Sequence, residues 1–227
     1  MNKFLLTTIR WLSCCLIFFM PGCESRNNSY NTFTPTQQDS IHDLERTRRG
    51  MASIGSLEHK IQSGDLITRT GNDFTSESLR KLNQRDQTYS HCGIASIEHD
   101  SVFVYHAIGG DFNPDQKIKR DPLLLFSDPF NNKGIAVFRF ETTDSMKIKI
   151  VSTARKLFDD GMMFDMDFNL QTDDRMYCAE YVFKCFSRAS SGRLVFNHSH
   201  INDFEFIGVD DLFLHPLSKA IAQLVYK

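Results

Sequence analysis

The chain has 227 residues, a formal net charge of −2 and 41% hydrophobic residues. That balance provides no electrostatic footprint for nucleic acid or an anionic membrane surface, so nucleic acid is excluded as an expected partner. No paired-cysteine spacing suggests zinc, and neither a metal nor a cofactor is expected.

In chain order, Lys3 and Arg10 precede the short apolar run Trp11 to Met20, followed by Pro21-Gly22-Cys23. The run is far below the roughly 20 residues a bilayer span needs, and it suits the h-region of an export signal. Gly22-Cys23 resembles a bacterial lipobox, although Met20 and Pro21 replace its usual leucine and small residue. Residues 1–22 are therefore expected to be a lipoprotein signal peptide, with Cys23 carrying lipid and anchoring the protein to a membrane of the cell envelope. The plainer alternative is an ordinary signal with an incidental cysteine. Residues 23–55, rich in Asn, Ser, Thr, Gln and Arg, have too little apolar surface to fold alone and read as a tether, with a short helix near Ile41 to Arg49. Residues 56–227 are long enough for one domain with its own core.

Within that domain, Ile61 to Asp65 reads as a turn into a strand, Leu66 to Arg69, and Ser76 to Asn83 as a short helix. His91 to Glu98 and Val102 to Ile108 read as two strands joined by a turn over Glu98 to Ser101. Gly134 to Phe140 is a further strand. Thr142-Thr143-Asp144 offers N-caps for a helix to about Phe158, with Ile150, Ala154, Leu157 and Phe158 inward. Phe164 to Phe168 reads as extended or looped. Asp173-Asp174 is expected to cap a helix from about Arg175 to Arg188, and Pro216 to Val225 to form a last helix. Strands early and helices late imply an α+β fold with a mostly antiparallel sheet.

The chemistry centres on cysteine. Beyond the signal region and Cys23, Cys92, Cys178 and Cys185 remain, an odd number that leaves at least one thiol unpaired. A thiol becomes a good nucleophile when a helix N-terminus and an imidazolium lower its pKa. Cys178, near the predicted start of a helix, has the first by position. The same N–H groups can hold an oxyanion. His91 opens a strand and would act as base. Alternation places His91 and Gly93 on one face and Cys92 and Ile94 on the other, so Cys92 reads as core. His106, on the next strand, is the candidate to orient His91, as a third group orients the base in other triads. Taken singly, each has a blander reading: Cys178 as a small core residue, His91 as a core or surface histidine, His106 as a solvent-facing strand residue.

Other positions are weaker. Asp65 suits a turn, with substrate contact as the alternative. Glu180 either anchors its helix or touches substrate, and Tyr177 either lines a cleft or packs. His198-Ser199-His200 has spacing for two metal ligands but no evident carboxylate or cysteine partner, and reads as a surface loop.

Five segments in order carry a family resemblance: Gly64-Asp65-Leu66-Ile67, Tyr89-Ser90-His91-Cys92-Gly93-Ile94, Tyr105-His106-Ala107-Ile108, Phe164-Asp165, and Tyr177-Cys178-Ala179-Glu180-Tyr181-Val182. Together they resemble the permuted papain-like amidases, the YaeF/YiiX-type branch of the NlpC-like cell-wall peptidase superfamily. The resemblance implies a circularly permuted papain fold in which the histidine-bearing sheet precedes the cysteine-bearing helix. It implies Cys178 as nucleophile, His91 as base and His106 at the third position, where the family commonly has glutamate. A histidine there brings no negative charge of its own.

The expectation is thus an envelope cysteine amidase or peptidase acting on peptidoglycan stem peptides or other peptides. Two alternatives keep the fold. One is a lipid acyltransferase or thioesterase, to which the 20 phenylalanines could lend an acyl groove. The other is an inactive binding module.

Overall fold

The computed structural model describes residues 37–110 and 113–227. The expected signal peptide, Cys23 and the first part of the tether lie outside the described residues. The elements run α1 (Gln37–Glu58), β1 (Leu66–Gly71), α2 (Phe74–Arg80), β2 (His91–Glu98), β3 (Ser101–His106), β4 (Lys119–Pro122), α3 (Leu123–Phe126), β5 (Asn132–Phe140), α4 (Asp144–Asp159), α5 (Cys178–Ser190), β6 (Ser199–Ile201), β7 (Phe204–Phe206), α6 (Val209–Phe213) and β8 (Ser218–Val225). None of the described helices is long and apolar enough to cross a membrane.

Six strands form one antiparallel sheet in the order β4-β3-β2-β1-β5-β8, and β6 and β7 make a separate hairpin. The fold is α+β with an antiparallel sheet packed against helices, as expected. Strand alternation divides the core between the two faces of the sheet. Leu66, Cys92, Ile94, Tyr105 and Phe138 pack with Ile150, Ala154 and Leu157 of α4 and with Tyr181, Val182 and Cys185 of α5. Ile67, Ala95, Val104 and Val137 pack on the other face with Ile54 and Leu57 of α1 and Leu123 and Phe126 of α3.

Three expectations need correction. A 22-residue helix begins inside the supposed tether and runs past its end to Glu58, far longer than the short helix foreseen around Ile41 to Arg49. Its last turns bury Ile54 and Leu57, and a Cβ on Gly50 would lie 2.5 Å from Pro129. Tertiary burial stabilises this helix where its polar composition does not.

The cysteine-bearing helix starts at Cys178, not near Arg175. Asp173 does not cap it but pairs with Lys184 and Arg188, and the Met176 N–H is taken by the Met163 carbonyl. Glu180, three residues beyond the N-cap Tyr177, accepts from the Tyr177 N–H at 3.2 Å, which fixes the first turn. The last segment is not a helix. Ser218–Val225 is a strand that covers the free edge of β5, and pairing with that edge overrides the helical preference of its sequence.

The β2–β3 hairpin positions the site. His99 (φ 48°) and Asp100 (φ 61°) are both left-handed, as a two-residue primed turn requires, and Glu98 pairs with Ser101. Ile94 lies opposite Tyr105. Continuing that register by one residue sets His106 opposite Gly93 and diagonal to His91. A Cβ on Gly93 would stand 2.6 Å from Val104 Cγ1, 2.7 Å from the Tyr105 carbonyl oxygen and 2.9 Å from His106 Cβ. Gly93→Ala is therefore expected to push β3 away, costing about 1–3 kcal/mol by overpacking. Urea denaturation should show the loss, and NMR of the histidine side chains should show the His91–His106 contact weakened. Wild-type stability with that contact intact would contradict the argument.

Candidate active site

His91 and His106 are hydrogen-bonded, Nε2 to Nδ1, at 2.8 Å. Both are buried. The rings meet edge to face with centroids 5.0 Å apart, and Phe126 of α3 backs both of them at 5.7 and 5.0 Å. Arg69, the cross-strand partner of His91 on β1, sends Nη1 to the Phe126 carbonyl at 2.6 Å and lies over its ring at 4.7 Å.

The far nitrogen of His106, Nε2, meets Asp121 Oδ2 at 3.0 Å. Asp121 sits on β4 opposite Val104, so it stands diagonal to His106 just as His106 stands diagonal to His91. Sequence reasoning missed both Arg69 and Asp121. It also missed β4, because Lys119-Arg120-Asp121-Pro122 is too short and polar to signal a strand. For Arg69 a signal existed, since alternation along Leu66 to Arg69 turns its side chain away from the α5 face.

Cys178 is the first residue of α5 and is 9% exposed. It reaches the end of the sheet from the α4–α5 face, whereas His91 points from the other. Its sulfur therefore meets the residue after His91. The Cys92 thiol lowers the Cys178 pKa most, burial opposes it, and the N–H groups of Ala179 and Cys92 and the charge of Arg69 lower it further. The thiol is shifted below its ordinary value. Cys92 is shifted well above its own by burial and by Cys178, so it keeps its proton beside the Cys178 sulfur. Cys92 is buried, as alternation implies, but it is more than core filler because its thiol faces Cys178. Cys185 is buried deeper on α5, where burial raises its pKa.

Burial, then Arg69, then His106, hold His91 well below the usual histidine range. For His106, burial lowers the pKa, and the hydrogen bond it donates to Asp121 opposes the shift without reversing it. Both imidazoles are neutral near pH 7.

The remaining predicted site residues are structural in this geometry. Asp65 is 1% exposed and forms a bidentate pair with Arg139, both bonds 2.8 Å, while accepting from the Gln62 N–H. It lies just before β1, four residues and roughly 13 Å of extended chain from Arg69, and so does not join the site. Glu180 is fully buried between the Tyr177 N–H and Lys184, as a helix anchor. The Tyr177 hydroxyl accepts from the Ile207 N–H at 2.8 Å, and its ring packs on Phe168. His198 pairs with Glu205 at 2.7 Å, the carboxylate that sequence reasoning did not find, but on the β6–β7 hairpin. A broad depression of about 760 Å³ lies beside Ser96, Ile97 and α4, at the far end of β2, and contains none of these residues.

The strands that carry the histidine pair precede in sequence the helix that a cysteine opens, which is the element order of a permuted papain-like fold. The chain belongs to the permuted papain-like amidase family, the YaeF/YiiX or C92 family, whose model matches residues 60–202. It is 26% identical over 146 residues to the uncharacterized protein YiiX of Escherichia coli strain K12, a match covering 63% of this chain and 66% of that one. The match thus spans slightly less than two thirds of that relative. The crystal structure of metalloprotein YiiX from Escherichia coli O157:H7 superposes with a TM-score of 0.60 at 20% identity, over 73% of this chain and 99% of that one. That likeness concerns the fold.

The depressed histidine pKa values make a stability prediction. In the unfolded chain these imidazoles titrate near 6.5, while in the fold they resist protonation. Below about pH 6.5 the unfolded state binds more protons, so stability is complete above that pH and falls as the pH drops through it. The slope should approach about 1.4 kcal/mol per pH unit for each histidine. Urea denaturation between pH 7.5 and 5 should show the fall, and His91→Gln should flatten it.

Proposed function

We propose that this protein is a cysteine amidase or peptidase in which Cys178 is the nucleophile, His91 the base and His106 the residue that orients it. The observation that supports this reading is a thiol shifted below its ordinary value at the start of α5, beside Cys92, the residue that follows a neutral histidine held through one nitrogen. His91 uses Nε2 on His106. Its Nδ1 has no hydrogen-bond partner among the described residues, and Cys178 lies against the adjoining Cys92. Catalytic hydrogen bonds commonly form only once substrate binds, and the reaction requires the Cys178 sulfur to turn from Cys92 toward His91 Nδ1.

The thiol proton passes to His91 as sulfur attacks the amide carbonyl carbon. N–H groups of the first turn of α5 stabilise the oxyanion. His91 then gives its proton to the leaving amine, and water cleaves the acyl-enzyme. An export signal with lipid on Cys23 would place the enzyme at an envelope membrane, where peptidoglycan stem peptides are the fitting substrates. The YiiX protein of the Escherichia coli O157:H7 structure is described as a metalloprotein. Among the described residues here no three His, Cys, Asp or Glu side chains converge to hold a metal ion, and both ring nitrogens of His106 are engaged. The donor set at this site therefore does not fit a resident metal.

Two measurements test the reading. The iodoacetamide rate at Cys178 should show an inflection below the ordinary thiol value of 9.0. Incubation with muropeptides, followed by mass spectrometry, should show amide cleavage that falls by a factor of about 1,000 or more in Cys178→Ala. An unshifted inflection would sink the activated nucleophile. Acyl transfer from phospholipids, with muropeptides left intact, would favour the lipid-acting alternative.

A further inference from the structure

We propose that Asp121 is a positioning residue: acting through His106, it fixes which nitrogen of His91 is left unprotonated to receive the thiol proton. The inference rests on the assignment of Cys178 and His91 as nucleophile and base. It follows from the inventory of donors along one chain of contacts: Asp121 Oδ2 to His106 Nε2 at 3.0 Å, and His106 Nδ1 to His91 Nε2 at 2.8 Å.

An ionised carboxylate can only accept, so His106 Nε2 must carry a proton and donate it. A neutral imidazole has one ring proton, so His106 Nδ1 is then an acceptor. Its partner, His91 Nε2, must donate. The one lone pair left on His91 is at Nδ1. Without the acceptor at the end of the chain, the His91–His106 bond can run in either direction. In the reverse direction His91 Nδ1 carries the proton and cannot take another from a thiol. The negative charge that a glutamate would supply at position 106 is here moved outward by one imidazole. When His91 becomes protonated, that charge stabilises the imidazolium through His106.

Asp121 suits the role. Its side chain is 25% exposed against 1% for His106, so it carries charge with partial solvation at the mouth of a buried pair. Burial opposes its ionisation, but the hydrogen bond and charge of His106, with Lys119 and Arg69, hold its carboxyl below the usual range. The groups facing the two imidazoles are Arg69 from β1, Asp121 and Lys119 from β4, and the apolar ring of Phe126 from α3. Cys92 and Arg69 face Cys178.

The test uses the full chain, with Asp121→Ala, Asp121→Asn and Asp121→Glu. Two-bond ¹H–¹⁵N spectra at pH 7.5 read the tautomers directly. Wild type should show both His91 and His106 protonated at Nε2, and Asp121→Ala should show a mixture. The rate of Cys178 alkylation at pH 7 should fall about tenfold or more, with its inflection raised by about one pH unit, and Asp121→Glu should recover part of both. A purely structural role for Asp121 would change the melting temperature without changing either readout. Unchanged tautomers and an unchanged inflection in folded Asp121→Ala and Asp121→Asn, beside a wild type with a lowered inflection, would overturn the proposal. If the wild-type inflection is itself ordinary, the nucleophile assignment is what fails, and the tautomer spectra still decide whether Asp121 orders the imidazoles.

Discussion

The site depends on an absent side chain. His106 reaches His91 diagonally across two strands because Gly93 presents no Cβ between them. In an antiparallel pair, diagonal neighbours stand about 7–8 Å apart at Cα, close enough for two imidazoles to meet only if nothing fills the intervening position. The turn at His99-Asp100 fixes the register, Gly93 opens the gap, and Phe126 closes the back of both rings. A one-residue slip of β3 would send His106 to the opposite face, where α5 packs. The sheet therefore sets the histidine pair more firmly than any loop could.

Electrostatics then assigns different tasks to similar groups. Arg69 acts on both the thiol and the imidazoles, and its one positive charge acts oppositely on them. It favours the thiolate and disfavours the imidazolium. Burial reinforces the second effect and opposes the first. On the proposed assignment, the resting site holds a neutral imidazole and a partly activated thiol, rather than a thiolate with an imidazolium already formed. Cys92 supplies the missing stabilisation. Its raised pKa keeps a proton available to the Cys178 sulfur, so the activation comes from donors on two elements, β2 and α5.

Much of this was legible in the sequence, and the limits have physical causes. Period-two alternation was enough to separate His91 from Cys92 and to align His106, because each face of the sheet buries a different set of side chains. The α4 helix was readable from Thr143 and the spacing of Ile150, Ala154 and Leu157. Failures came where tertiary contacts decided the outcome. β8 is a strand because β5 has an edge to cover, and α1 is long because Ile54 and Leu57 have a sheet to rest on. Asp173 and Asp174 imitated a helix cap, but the Glu180–Tyr177 contact set the true start three residues beyond Arg175. Asp121 had no local signature at all, since its role exists only through a partner fifteen residues away on another strand.

Asp121 also changes the meaning of the third position. Set against the glutamate that the family resemblance leads one to expect at position 106, histidine alone lacks a charge. Considered on the sheet, it lengthens the chain of contacts by one ring and moves the carboxylate to where water can partly solvate it. A glutamate at position 106 would sit in the same pocket as Arg69 and the rings of His91 and Phe126, where an ionised carboxylate is costly unless paired. An imidazole tolerates that pocket because it can be neutral there, donating at one nitrogen and accepting at the other. The His106–Asp121 pair thus separates two demands that one glutamate must meet alone: a hydrogen-bond acceptor deep in the fold, and a negative charge that remains ionised.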